Sequence, residues 1–195
     1  GELEALQRKL LPAIVHIHGQ GQLQREQGVP SIISSGVIVH PAGYLITTAH
    51  GLSSHHRLFA DIPTAKGIKR YEVKLVKVDP QYDAALLKIK SNDRFLFLKM
   101  ADTTQMEAGA PLYAYGLGMN SSIIGKQGSL QQRGVTVQAG NQTISHLFMT
   151  DAVYSWEQTG GALVTPHAEL AGINLAMSGA NGTIQGYAVP AHLLK

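Results

Sequence analysis

Over residues 3–10 (LEALQRKL), Leu3, Leu6 and Leu10 recur at helical spacing, and Pro12 ends the pattern, which predicts a short amphipathic N-terminal helix. Beyond Pro12 the hydrophobic period shortens to two. In AIVHIHG, Val15 and Ile17 share one face of a strand while His16 and His18 share the other. The polar, glycine-rich stretch GQGQLQREQG reads as a loop. SSGVIVH and GYLITTAH follow as two apolar strands joined by the turn residues Pro41, Ala42 and Gly43. Further strands are expected at HRLFADI, YEVKLVKVD, DAALLKI, PLYAYGLG, SIIGKQGSL, GVTVQAG, TISHLFMTDA, GALVTP, ELAGINLAM and GTIQGYAVP. The closing AHLLK reads as the start of a terminal helix. Many short strands, with helix only at the two ends, predict an all-β barrel or sandwich.

Composition narrows this picture without redirecting it. With 195 residues and 44% hydrophobic content the chain can bury a proper core, as one domain or as two packed halves. Its 21 glycines are spread along the sequence, as tight turns between strands require. The net charge of +3 is scattered. The largest basic cluster (Lys66, Lys69, Arg70, Lys74, Lys77) alternates with apolar residues, which suits a solvated strand face better than a nucleic-acid-binding stripe. The lack of cysteine removes disulfides and thiolate metal sites. No stretch approaches the roughly 20 apolar residues of a membrane-spanning helix, and no signal-peptide pattern opens the chain.

Three segments carry candidate chemistry. Thr47-Thr48-Ala49-His50 closes an apolar strand, Asp83 opens the strand DAALLKI, and Thr159 precedes the pair Gly160-Gly161. Histidine, aspartate and then a hydroxyl residue before two glycines is the chain order of the chymotrypsin-type triad. GYLITTAH, VDPQYDAALLKI, TDAVYSWEQTGGALV, LAGINLAM and GYAVP together resemble, in order and at compatible spacing, five segments of the HtrA proteases, a trypsin-fold family. The resemblance runs from about Pro12 to the C-terminus. It implies one trypsin-like domain of two six-stranded β-barrels with short terminal helices, over about residues 12–100 and 101–190, with the active site in the crevice between them.

Carried over residue by residue, the resemblance makes His50 the general base and Asp83 the carboxylate that orients it. The nucleophile position holds Thr159 in place of serine. Glu157 stands at the glycine whose amide lines the oxyanion hole, Gln158 at the family's asparagine, and Gly160 keeps the first glycine of the pair. A β-branched nucleophile is stiff and crowded at its oxygen. A non-glycine residue at 157 resists the backbone geometry that aims the oxyanion donor, and its carboxylate sits where negative charge must develop. Loss of one such donor costs roughly 10²–10³ in kcat. The expectation is therefore a degenerate protease that is catalytically inactive.

This pattern of substitutions resembles a degenerate, magnetosome-associated branch of the family. That resemblance implies a domain in the magnetosome lumen or on the periplasmic side of a membrane, tethered by segments outside this chain. It also implies a role in iron mineral formation through direct binding of a transition metal ion (iron, manganese or a similar divalent ion) or of nascent mineral, beside another HtrA-like magnetosome protease. Nine histidines and no cysteine mean that any such site would use imidazole with carboxylate or water. The i, i+2 pair His16 and His18 is the candidate ligand set, although no metal-binding motif of recognised spacing is present. Two other readings stand beside this one: a peptide-binding scaffold that recruits or activates a partner, and a weak threonine-dependent endopeptidase.

Overall fold

The computed structural model describes residues 1–21 and 31–194. Most of the Gln/Gly-rich loop expected after the first strand lies outside the described residues.

The chain opens with α1 (Glu2–Leu10) and continues through twelve strands. They are β1 (Ile14–Gln20), β2 (Ser31–Ile38), β3 (Tyr44–Thr48), β4 (Arg57–Thr64), β5 (Gly67–Asp79), β6 (Ala84–Ile89), β7 (Pro111–Leu117), β8 (Ile123–Ala139), β9 (Gln142–Thr150), β10 (Ala162–Val164), β11 (Leu170–Ser178) and β12 (Ile184–Pro190). Strands β1–β6 close one barrel in the order β1-β2-β3-β6-β5-β4, and β7–β12 close a second in the order β10-β11-β12-β9-β8-β7. The double barrel expected from the sequence is thus the fold. The chain ends in a single 3₁₀ turn, Ala191–Leu193, and not in a regular helix.

Strands at the junction are buried on both faces, which explains why their sequences read as near-continuous apolar runs. Along β7, Leu112 and Ala114 point into the second barrel, whereas Tyr113, Tyr115 and Leu117 join the cluster between the barrels. On β1, Ile14 serves the junction, while Val15 and Ile17 fill the first barrel. The junction cluster also takes Leu6 and Leu10 from α1. Tyr115 donates its hydroxyl to the carbonyl of Leu3 at 2.7 Å, and Tyr113 donates to the Glu2 carboxylate. The basic strand β5 lies largely exposed, with Arg70 in a bidentate pair with the buried Asp61 at 2.6 and 2.9 Å.

Two strands anticipated separately, over residues 122–130 and 134–140, are one long strand, β8. Register shifts between Leu130 and Val137 accommodate the polar residues that made it look interrupted. His146 lies inside β9 at φ +66°, a left-handed backbone conformation.

Candidate active site

His50 follows β3, where the strand ladder between β3 and β6 brings Thr48 opposite Ala84. The amide of Ala49 donates to the carbonyl of Asp83 at 2.7 Å, so the two segments are tied by backbone before their side chains meet. Asp83 adopts φ +53° just before β6. His50 Nδ1 and Asp83 Oδ2 are then 2.5 Å apart. Because a carboxylate only accepts, Nδ1 carries the proton and the neutral ring presents its Nε2 lone pair outward. The hydrogen bond to Asp83 raises the His50 pKa above its ordinary 6.5, against an opposing contribution from partial burial. His50 and Asp83 line a groove of about 480 Å³ together with residues of β11 and of the β8–β9 turn. This half of the site is assembled.

The second half is built differently. Residues Trp156–Gln158 form a 3₁₀ turn capped by Ser155. Gln158 is fully buried. Its Oε1 accepts from the amides of Tyr154 and Ser155 at 2.8 and 3.1 Å, and its Nε2 donates to the carbonyls of Ala114 and Ala152, both at 3.0 Å. One side chain thus fastens the loop to itself and to β7. The turn also consumes the amides that the resemblance assigns to an oxyanion hole. The Glu157 amide donates to Ser155 Oγ at 3.3 Å, and the Thr159 amide to the carbonyl of Trp156 at 3.1 Å.

Thr159 Oγ1 accepts from the amide of Ala176 on β11 at 3.0 Å. Among the described residues, no hydrogen bond joins Thr159 to His50. Gly160 sits at φ +84°, and a Cβ there would come within 2.2 Å of the carbonyl oxygen of Ser35, so only glycine fits this approach of the loop to β2. The Glu157 carboxylate accepts from the Met119 amide at 3.3 Å, over Gly118, where a Cβ would fall 2.4 Å from Oε2. As it stands, the arrangement holds an oriented base, a hydroxyl turned into β11, and no pair of convergent free amides.

One contributor escaped the sequence reading. Ser35 on β2 accepts from the Leu117 amide at 2.9 Å and donates to the Glu157 carbonyl at 3.1 Å, while its own amide donates to the Thr159 carbonyl at 3.1 Å. It stitches the first barrel to the loop of the second. A polar residue immediately before a glycine in an otherwise apolar strand was the available signal. Gln158 was named from the resemblance, but its work as a fastener depends on which carbonyls lie within its reach.

His16 and His18 do come together, with ring centroids 5.5 Å apart in an edge-to-face arrangement. His16 Nε2 donates to the carbonyl of Leu117 at 2.6 Å, and His18 Nε2 lies 3.4 Å from Asp61 Oδ2. Both rings are buried, and burial lowers the His16 pKa below 6.5. Among the described residues, no three His, Asp or Glu side chains are grouped to hold a metal ion. As arranged, the histidine pair links the two barrels through Leu117.

The model of the trypsin-like peptidase domain matches residues 34–173. The chain is 36% identical over 192 residues to the probable membrane transporter protein MamO of Paramagnetospirillum magneticum, covering 98% of this chain and 29% of that protein. It is 28% identical over 162 residues to the magnetosome formation protease MamE of Magnetospirillum gryphiswaldense, covering 82% of this chain and 21% of that protein. Among solved structures, the MamO protease domain of Magnetospirillum magneticum in its apo form superposes with a TM-score of 0.87 at 37% identity, over 96% of both chains. The chain therefore spans under a third of the length of the first two relatives.

Proposed function

This chain belongs to the trypsin-like peptidase family, and from that premise we propose that it is a proteolytically silent, HtrA-like domain that serves magnetosome formation by binding and not by cutting. The observation that carries the reading is the state of the nucleophile loop. The Thr159 hydroxyl is occupied by the Ala176 amide, and the Glu157 and Thr159 amides are spent inside their own turn. A tetrahedral intermediate would find neither an aligned attacking oxygen nor a pair of donors for its oxyanion. The groove beside His50 remains open to an extended peptide. The magnetosome context rests on the likeness to a magnetosome formation protease. On this reading the domain works on the lumenal or periplasmic side of a membrane, with any tether in other segments.

The test compares the wild-type domain with Thr159→Ala for cleavage of fluorescent casein, and with Ala139→Trp for binding of a labelled unstructured peptide by anisotropy. We expect no cleavage by either of the first two, and peptide binding that is weakened at least tenfold when the indole fills the groove. Casein cleavage by the wild type that disappears in Thr159→Ala would overturn the reading in favour of a threonine-dependent endopeptidase.

Direct capture of a transition metal ion in support of iron mineral formation is a second reading, favoured by the His50–Asp83 pair. A histidine whose Nδ1–H is held by a carboxylate presents a more basic Nε2, the usual orientation of a metal-bound imidazole. His50 is exposed, with a side chain 64% accessible. With one imidazole and water the affinity would be modest and poorly selective among divalent ions. Calorimetric titration with Mn²⁺, Fe²⁺ and Ni²⁺ should show saturable binding that His50→Ala removes and Thr159→Ala leaves intact. Binding unaffected by His50→Ala, or no binding at millimolar metal, would eliminate this assignment.

A further inference from the structure

A second cavity of about 260 Å³ is lined in part by the nucleophile loop. Ile32, Ile33 and Leu117 line it beside Ser34 and Ser35, the buried His16 belongs to its wall, and Gly118, Met119, Trp156 and Glu157 complete the lining. It is smaller than the roughly 300–1,000 Å³ typical of small-molecule sites, and so suits one long side chain better than a free ligand.

Its chemistry is one-sided. Glu157 is exposed, and among the described residues no lysine or arginine pairs with its carboxylate, whose partners are the Met119 amide at 3.3 Å and Ser155 Oγ at 3.4 Å. Gly118 provides the space in which that carboxylate sits, since a Cβ at 118 would meet it at 2.4 Å. His16 adds no positive charge near neutral pH, because burial holds its pKa below the ordinary value. Trp156 is 55% exposed and offers an indole face of the kind that attracts cations. The cavity therefore combines apolar walls for a methylene stem with an acidic group and an aromatic ring for a charged head, the arrangement in which long basic side chains are most comfortable.

Trp156 lines both this cavity and the His50 groove, so the two are neighbours. We propose that this cavity is a recognition site for the arginine or lysine side chain of an extended peptide bound along the cleft, with Glu157 as its specificity-determining residue. The assignment rests on the cleft-binding reading above and gives the substituted oxyanion-loop residue a positive task. An unstructured segment can slide along the groove until its basic residue reaches the cavity, so a single cation in the segment suffices.

The test uses two fluorescein-labelled twelve-residue peptides of Ala, Ser and Val that differ only at one central position, Arg or Gln, with a third carrying Glu. Anisotropy titration of the wild-type domain should show the Arg peptide binding at least tenfold more tightly than the Gln peptide, with the Glu peptide weakest. The Arg advantage should shrink as salt rises from 50 to 500 mM, as expected for a solvent-facing carboxylate. In Glu157→Gln the advantage should fall below about twofold while the Gln peptide binds as before, and in Glu157→Lys the order of Arg and Glu peptides should reverse. Glu157 lies on an exposed turn, so these variants keep the core intact, and an unchanged thermal melt checks this. Equal binding of the Arg and Gln peptides to the wild type, or an Arg advantage that survives Glu157→Lys, overturns the proposal and leaves cleft binding standing. Failure of all three peptides to bind overturns cleft binding and this proposal together.

Discussion

The two halves of the crevice are held in different ways on the same scaffold. The half contributed by the first barrel keeps a base and its orienting carboxylate 2.5 Å apart, with a backbone hydrogen bond from Ala49 to Asp83 supporting them. The half contributed by the second barrel has its loop wound into a 3₁₀ turn, its amides consumed and its hydroxyl diverted to β11. The lesson is that the two halves of one crevice can rest on different kinds of support. The histidine–aspartate pair is held by strand geometry that the barrel requires in any case. The nucleophile loop is held by side chains, chiefly those of Gln158 and Ser155.

The sharpest way to break this contrast is to rebuild the loop. The triple variant Glu157→Gly, Gln158→Asn, Thr159→Ser should raise casein hydrolysis at least about 10²-fold above the wild-type baseline, the scale of one restored oxyanion donor. The double variant that keeps Gln158 should fall well short, because that amide still holds the turn. Equal activity of the two would remove Gln158 from the account. A triple variant that stays silent would mean that the His50 half is also out of place.

Next in size is the loop's own anchorage. Gln158→Ala leaves two buried carbonyls and two amides short of a partner, and should lower unfolding stability by about 2–4 kcal/mol in urea melts. Smaller again is His50→Ala or Asp83→Asn on the first barrel. Each removes one partner of a pair in which the His50 side chain is largely exposed, and should cost below about 1 kcal/mol. A larger loss from either than from Gln158→Ala would invert the comparison.

The smallest effect separates two histidines by pH. His50 has a raised pKa, so its contribution to stability is complete below 6.5 and fades as pH climbs through its folded value. His16 has a lowered pKa, so its contribution is present above 6.5 and is lost as pH falls through its folded value. NMR titration of the two ring signals should find His50 protonating at higher pH than His16, and Asp83→Asn should bring His50 down while leaving His16 in place.

Much of the fold was legible in the sequence because period-two alternation survives wherever a strand has two different surroundings. β7 shows this, with Tyr113 and Tyr115 facing the junction while Leu112 and Ala114 fill the barrel. The pattern failed in β8, where bulges near Gln132 and Val135 shift the alternation and a polar interval looks like a turn. His50, Asp83 and Thr159 were readable because short segments around them resemble a family. Their relationship was not, since the direction of the Thr159 hydroxyl is decided by an amide on β11, far along the chain. The histidine pair was placed correctly on one strand face, but Leu117 and Asp61, which claim it, come from β7 and β4. Contacts of this kind arise only once the barrels have closed on each other.

Helix α1 belongs to the first barrel by chain order, yet its side chains and its backbone are held by two tyrosines of the second. It works as a strap across the seam. Peeling the first barrel away would require tearing its own leading segment off its neighbour, so neither barrel can open alone. The two halves should melt as one cooperative unit, and the crevice between them behaves as a fixed mould and not as a hinge.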